Sequence, residues 1–215
     1  MENTIYTLQD INKMEKIERL NFINAITGFK SANLIGTIDE KGIENLAVFS
    51  SVTHLGSNPP VIGFITRPVH VPRHTYLNLK ATGYYTINHV HENFVDRAHQ
   101  TSANYDAGES EFEKCNFEAA YYHDFPAPFV AESMVQIGMK FVEEQPIRYN
   151  DTILVVGEVQ MIRVPLSAKK EDGFIDLEEL GTVTLSGLDT YLSPRKISRY
   201  DYARPGKNIR KIGYE

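Results

Sequence analysis

The sequence predicts a mainly β fold: a barrel of short strands with short helices at its periphery. Runs of β-branched and aromatic residues recur along the 215-residue chain, bounded by turn chemistry. The helical stretches between them rarely have the length of a βαβ crossover. Neither G-x-G-x-x-G nor G-x-x-x-x-G-K-S/T occurs, so the phosphate loops of doubly wound nucleotide folds are missing.

Residues 9–27 read as a helix, because Ile11, Met14, Ile17, Leu20, Ile23 and Ile26 recur every three residues. Asp10 fits its N-cap and Gly28 its stop. The period then shortens. Residues 31–39 form a strand, and Asp39-Glu-Lys-Gly42 is a turn with glycine where positive φ is needed. Residues 44–54 are extended. Pro59-Pro60 punctuates before a buried strand at 61–65. Residues 72–82 form a short helix that ends before Gly83, and 84–90 alternate as a strand. Residues 91–102 are helical, with Phe94, Val95 and Ala98 on one side. The β-branched and aromatic content of 127–144 favours a strand but leaves a helix open. Residues 152–164 (TILVVGEVQMIRV) are a long strand, and Gly173 opens a turn before a short element. With no repeat and no low-complexity linker, one domain is expected over 1–215, with its core at about 20–192 and a basic arm at about 193–215.

Several function classes drop out. No apolar run approaches the roughly 20 residues that span a bilayer, and the N-terminus lacks a secretory pattern, so a cytoplasmic protein without membrane attachment is expected. Cys115 is the only cysteine, which excludes an intrachain disulfide and a multi-cysteine zinc site and fits a buried thiol. The net charge is −6, yet seven Lys/Arg face two acids from Arg195 onward, leaving −11 on the rest. That tail also carries Tyr200, Tyr202 and Tyr214. An arm lying on the acidic body, or on a partner subunit, accounts for it; nucleic-acid binding does not suit so acidic a chain. G-x-S-x-G and H-E-x-x-H are absent, and Ser193-Pro-Arg-Lys196 matches S-x-x-K without its companion motifs, so a hydrolase is disfavoured. His89 and His91 share a strand face, with His99 as a conceivable third ligand, but no further ligand stands at a telling spacing and no metal is expected.

One constellation does carry chemistry. Asn45-Leu-Ala-Val-Phe-Ser-Ser-Val-Thr53 mixes small polar groups into an apolar strand, Pro59-Pro-Val-Ile-Gly-Phe-Ile-Thr-Arg67 ends in a hydroxyl and a cation, and Arg73-His-Thr-Tyr-Leu-Asn78 precedes Gly83-Tyr-Tyr-Thr-Ile-Asn88. Singly, these are turn residues, an edge-strand face and solvated charges. Together they suit a flat, largely apolar ring system with a polar edge and an anionic end. Ala47, Ser50 and Ser51 let the main chain approach such a ring, Asn45 serves its polar edge and Phe49 walls the slot. Thr66, Arg67, Arg73 and Thr75, at a helix start, offer hydroxyls, cations and free N–H groups to a phosphate.

This order resembles the flavin reductase-like family of FMN-binding split barrels. Its N-L-A-P-F/Y-S segment, D-P-P strand, K-D-T-x-x-N helix start and G-x-F/Y-x-V-N strand run here from Asn45 to Asn88. His99-Gln-Thr-Ser102, Glu109-Ser-Glu-Phe-Glu113 and the strand at 151–159 look like later family segments, so the likeness covers about 20–192. Val48 stands where the family has proline, His74 where it has aspartate, and Arg73 where it has lysine. The resemblance implies a Greek-key-like split barrel that binds FMN through Asn45, Ala47, Val48, Phe49, Ser50, Ser51, Thr66, Arg67, Arg73, His74, Thr75 and Asn88. It implies an NAD(P)H-dependent flavin reductase with NAD(P)H as co-substrate, hydride passing through flavin N5 to a small-molecule acceptor, and no named catalytic acid or base. It also implies a homodimer with FMN near the subunit interface. A non-catalytic carrier of FMN or another planar cofactor such as haem is the alternative.

Overall fold

The structure is a computed structural model that describes residues 3–106 and 108–213; Tyr214 of the basic tail lies outside them. Two short helices open the chain, α1 (Leu8–Lys13) and α2 (Lys16–Ile26). The single helix expected at 9–27 is therefore broken, with Met14 in an extended conformation. Its apolar period finds no core: Ile17, Leu20, Ile23 and Ile26 are all exposed. Without a packed face nothing holds a short helix straight, and Arg19 donates to the freed Asn12 and Met14 carbonyls instead. The N-cap is Thr7, not Asp10; Asp10 closes the capping box from the third helical position. Gly28 does follow the second helix, at φ 84°.

The strands are β1 (Lys30–Ser31), β2 (Asn33–Ile38), β3 (Glu44–Phe49), β4 (Thr53–Ser57) and β5 (Pro60–Thr66). Helix α3 (His74–Thr82) leads to β6 (Tyr84–His89), and α4 (Val95–Gln100) and α5 (Glu111–Lys114) follow. Then come β7 (Ala119–Ala120), β8 (Phe129–Val130), β9 (Gln136–Ile147), β10 (Thr152–Arg163), β11 (Thr184–Ser186) and β12 (Thr190–Leu192). Strands β8 and β9 settle the open choice at 127–144 in favour of extended structure.

Seven strands make one antiparallel sheet in the order β3-β2-β6-β9-β10-β5-β4. Its two edge strands, β3 and β4, are consecutive in sequence and joined only by residues 50–52. A link of that length reaches on the order of 10 Å. The sheet must therefore curl until its edges nearly meet, giving a barrel split along one seam. The 44–54 run, read as one extended stretch, is divided for this reason between both edges. Across the seam the Ser51 hydroxyl accepts from the Ile65 N–H at 3.0 Å and donates to the Ile65 carbonyl at 3.1 Å, standing in for a strand partner.

Buried apolar groups fill both faces of the wall. Leu34 and Ile35, neighbours on β2, point to opposite sides and are both fully buried. Ile35 joins Phe64, Leu79, Tyr85, Ile87, Met139 and Val155 in one cluster, while Leu34 joins Leu46, Val90, Phe94, Phe112 and Val130 in the other. Each such side chain contributes about 1.5–3 kcal/mol on leaving water. Helix α3 packs on β2, β3 and β6 and contributes Leu79 to the first cluster. Gly83 at φ 78° stops it, as the sequence indicates.

The basic arm lies on its own chain's acidic stretch. Arg199 pairs with Asp172 and stacks 4.2 Å from the Phe174 ring centre, and Lys196 pairs with Asp176, whose side chain is 2% exposed. Among the described residues no helix is long and apolar enough to cross a membrane.

Candidate functional site

A cleft of about 640 Å³ opens along the barrel's seam. Three pieces of chain that meet only in the folded protein build it: the free edge of β3 with its continuation to Ser51, the end of β5 with the segment to the start of α3, and residues 101–106 with Glu111. Asn24 of α2 and Leu188 also line it.

The β3 side is a backbone edge. Strand β2, from Asn33 to Ile38, takes one side of β3, and among the described residues the other side faces no strand. The Leu46 N–H points outward and donates to Glu111 Oε2 at 3.0 Å. Because an antiparallel ladder alternates, the next N–H on that open edge belongs to Val48, and Val48 lines the cleft. Phe49 also lines it, with its ring set edge-on 5.1 Å from Phe64, so the core holds it upright.

The α3 side is cationic and rich in donors. Arg73 is the N-cap of α3, and its side chain makes no cap bond, so the first N–H groups of the helix have no side-chain acceptor. The Arg73 Nε is buried and has no hydrogen-bond partner among the described residues. Thr66 and Thr75 are buried in the same wall, and Arg67 is exposed at its rim. His74 is the first helical residue of α3, one position past the N-cap, and lines the cleft.

Buried polar bonds tie the two sides together. Asn45 Nδ2 donates to Thr75 Oγ1 at 3.0 Å and to Thr37 Oγ1 at 3.3 Å, and Asn78 Nδ2 donates to the same Thr37 hydroxyl at 3.2 Å. A group at the head of α3 and a group along β3 are thus held in fixed relation. Glu111 is 6% exposed, and burial pushes its carboxyl above the usual range, with the nearby His74 acting in the opposite sense.

Of the twelve sequence-selected residues, eleven line this cleft: Asn45, Ala47, Val48, Phe49, Ser50, Ser51, Thr66, Arg67, Arg73, His74 and Thr75. Asn88 does not. It is fully buried, donates to the Leu34 carbonyl and Thr86 Oγ1, and accepts the Val130 N–H at 3.0 Å. Its place at a strand end in the motif gave no sign of this bracing role, which depends on β8 folding across it. Thr101, Ser102, Asn104, Tyr105, Asp106, Glu111 and Asn24 line the cleft without having been selected. Only Thr101-Ser102 and Glu111 carried a signal, through the two later family-like segments.

His89, His91 and His99, the three histidines weighed as metal ligands, stand apart from the cleft. His91 Nδ1 caps the following turn by accepting the Asn93 N–H, His99 Nδ1 lies 3.3 Å from the Tyr191 hydroxyl, and His89 Nδ1 is buried with no partner among the described residues. Cys115 is buried beside the Tyr105 hydroxyl, and burial pushes its thiol up.

This arrangement fits a flat ligand with a phosphate. The orphaned Arg73 Nε and the uncapped helix start await an anion, and an open strand edge beside an aromatic wall accepts a ring with carbonyls. Residues 28–180 match the flavin reductase like domain family. The chain is 48% identical to a Shewanella frigidimarina protein described as a flavin reductase with a split barrel domain, with a TM-score of 0.91 over 94% of this chain and 100% of that one. Nitrilotriacetate monooxygenase component B from Bacillus cereus shares the fold at 18% identity, with a TM-score of 0.80 over 91% of this chain and 98% of that one. An FMN-binding protein from Thermus thermophilus does so at 16% identity, with a TM-score of 0.67 over 84% and 93% of the two chains.

Proposed function

This chain belongs to the flavin reductase-like family, and from that premise we propose that it is an NAD(P)H-dependent flavin reductase that holds FMN in the seam cleft. The buried, unpartnered Arg73 Nε at the uncapped head of α3 carries this reading. A buried donor left unmade costs about 1–3 kcal/mol, and a phosphate dianion relieves that cost. Arg73, Arg67, Thr66 and Thr75 hold the phosphate. Asn45, Ala47, Val48, Ser50 and Ser51 border the ring and the chain that links it to the phosphate, and Phe49 walls the slot. A bound flavin supplies hydride and electron transfer; the protein supplies binding, orientation and exclusion of water. No acid or base is needed at the transfer step, because alignment of donor and acceptor dominates its rate. The acceptor is a small molecule, and the setting is the cytoplasm.

The chain works as one domain with its basic arm folded back on it, and as a homodimer. Helix α2 brings Asn24 to the cleft and leaves Ile17, Leu20, Ile23 and Ile26, with Phe29 beyond it, exposed. A second copy covering this apolar surface would stand beside the flavin.

A visible absorption spectrum of freshly purified protein, followed by anaerobic addition of NADH or NADPH, tests the reading. Flavin bands that bleach on the turnover timescale are expected. Flavin bands that survive both reductants would make the chain a carrier, and failure to retain added FMN would end the assignment.

A further inference from the structure

The free edge of β3 has two consecutive outward donors, Leu46 N–H and Val48 N–H, with different fates. Leu46 N–H is taken by Glu111 Oε2 at 3.0 Å. Val48 N–H is the next outward donor by the alternation of the ladder, and Val48 lines the cleft. Glu111 is a strange residue to find there. It is an acid, 6% exposed, in a cleft suited to an anion, and it has no ion pair among the described residues. Burying a carboxylate on such terms is unfavourable, so its position calls for a role. It sits in the first turn of α5, a four-residue helix, next to Phe112, which is 2% exposed in the cluster on the outer face of β2 and β3. The packed Phe112 anchors α5, and α5 in turn holds the carboxylate against the strand edge.

An edge strand presents unpaired N–H and C=O groups, and among the described residues β3 has a strand neighbour on one side only. A fixed acceptor on Leu46 N–H pins the strand at the point from which Val48 N–H is aimed. Proline has no N–H, and it would be tolerated at position 48 because that donor makes no ladder bond. Valine therefore adds a backbone donor to this cleft.

We propose that Glu111 is a positioning residue of the cleft: by accepting the Leu46 N–H it fixes the open edge of β3, so that Val48 N–H is presented to the polar edge of the bound ring. The ring assignment rests on the function proposed above, whereas the clamp on Leu46 does not.

The test uses the full-length protein with Glu111→Ala, Glu111→Gln and Val48→Pro. Hydrogen exchange at the Leu46 amide and dissociation constants for FMN and riboflavin are measured on each. Glu111→Ala should expose the Leu46 amide to exchange and weaken both flavins by about tenfold, the loss of one charge-assisted bond at the strand. Both ligands should lose alike, because the ring and not the phosphate is affected. Glu111→Gln keeps an acceptor and should restore Leu46 protection and both affinities to within about twofold. Val48→Pro should weaken both flavins while Leu46 stays protected. A Leu46 amide unaffected by Glu111→Ala would overturn the clamp, whatever the flavins do. Loss of Leu46 protection with unchanged flavin affinity would overturn the positioning role. If the wild-type chain binds neither flavin, the functional reading fails by itself, and the exchange result still decides the clamp.

Discussion

Replacing Arg73 by alanine isolates the anion end of the cleft. The guanidinium leaves, but the N-cap backbone of α3 stays, because the Arg73 side chain makes no cap bond to begin with. The first backbone bond of the helix, Leu77 N–H to the Arg73 carbonyl at 2.9 Å, is likewise untouched. What goes is a buried donor group whose Nε has no partner among the described residues. A hydrogen bond from an ionised donor contributes about 1.5–3 kcal/mol, and each 1.4 kcal/mol is about tenfold in affinity. The expected loss for FMN is therefore on the order of 10- to 100-fold. Riboflavin has the same ring and no phosphate, and it should change by less than about twofold. Titrations followed by flavin fluorescence give both constants on one preparation. Raising the salt concentration should weaken FMN binding more in the wild type than in the variant, since the variant has lost a screened attraction. Arg67→Ala should discriminate in the same direction but less strongly, because Arg67 is exposed at the rim and more fully screened. Equal losses of FMN and riboflavin in Arg73→Ala would refute a phosphate at the head of α3.

Two further expectations concern stability. Lys196→Ala leaves the Asp176 carboxylate, 2% exposed, without its cation, and should cost about 3 kcal/mol, read as a lower denaturation midpoint with unchanged slope; a change below the error of the measurement would show that the arm is not docked as described. The Lys196 hydrogen bond also holds the Asp176 carboxyl below the usual range, so this stabilisation is present above the ordinary carboxylate pKa and is lost as pH falls through the folded one. His89 behaves with the same sign for a different reason. Burial lowers its pKa from 6.5 to about 4, so the fold favours the neutral ring, and stability should fall as pH drops from 6.5 towards 4 and flatten below. Allowing for the partial exposure of the ring, the loss is on the order of 2 kcal/mol. Thermal unfolding of wild type and His89→Phe at pH 7 and 4.5 checks it; identical pH dependence in both would remove His89 as the cause.

Local chemistry made much of this protein readable. Gly42 and Gly83 mark their turns because no other residue adopts φ near 80° without strain, and the structure has them at 86° and 78°. The β strands at 61–65, 84–90 and 152–164 follow from side-chain shape and alternation, and the cleft residues around 45–51 and 66–75 follow from having polar groups where a plain strand has none. Other features depend on what a segment meets. The amphipathic period at 9–27 predicts a helix, but only the fold shows that this face is left exposed and the helix broken. Asn88 reads as a ligand group and becomes a brace, because β8 closes over it. Glu111 lies in a family-like segment whose sequence assigns its side chain no place, and it turns inward because Phe112 beside it is drawn into the core. The split itself belongs to this second class. The sequence reads 44–54 as one extended run, but whether it stays one strand or divides between the two edges of the sheet depends on β2 and β5 competing for its halves. Such pairings are long-range and are decided by the whole sheet's closure, so only the tertiary structure brings the backbone edge, the cations and the buried acid into one cleft.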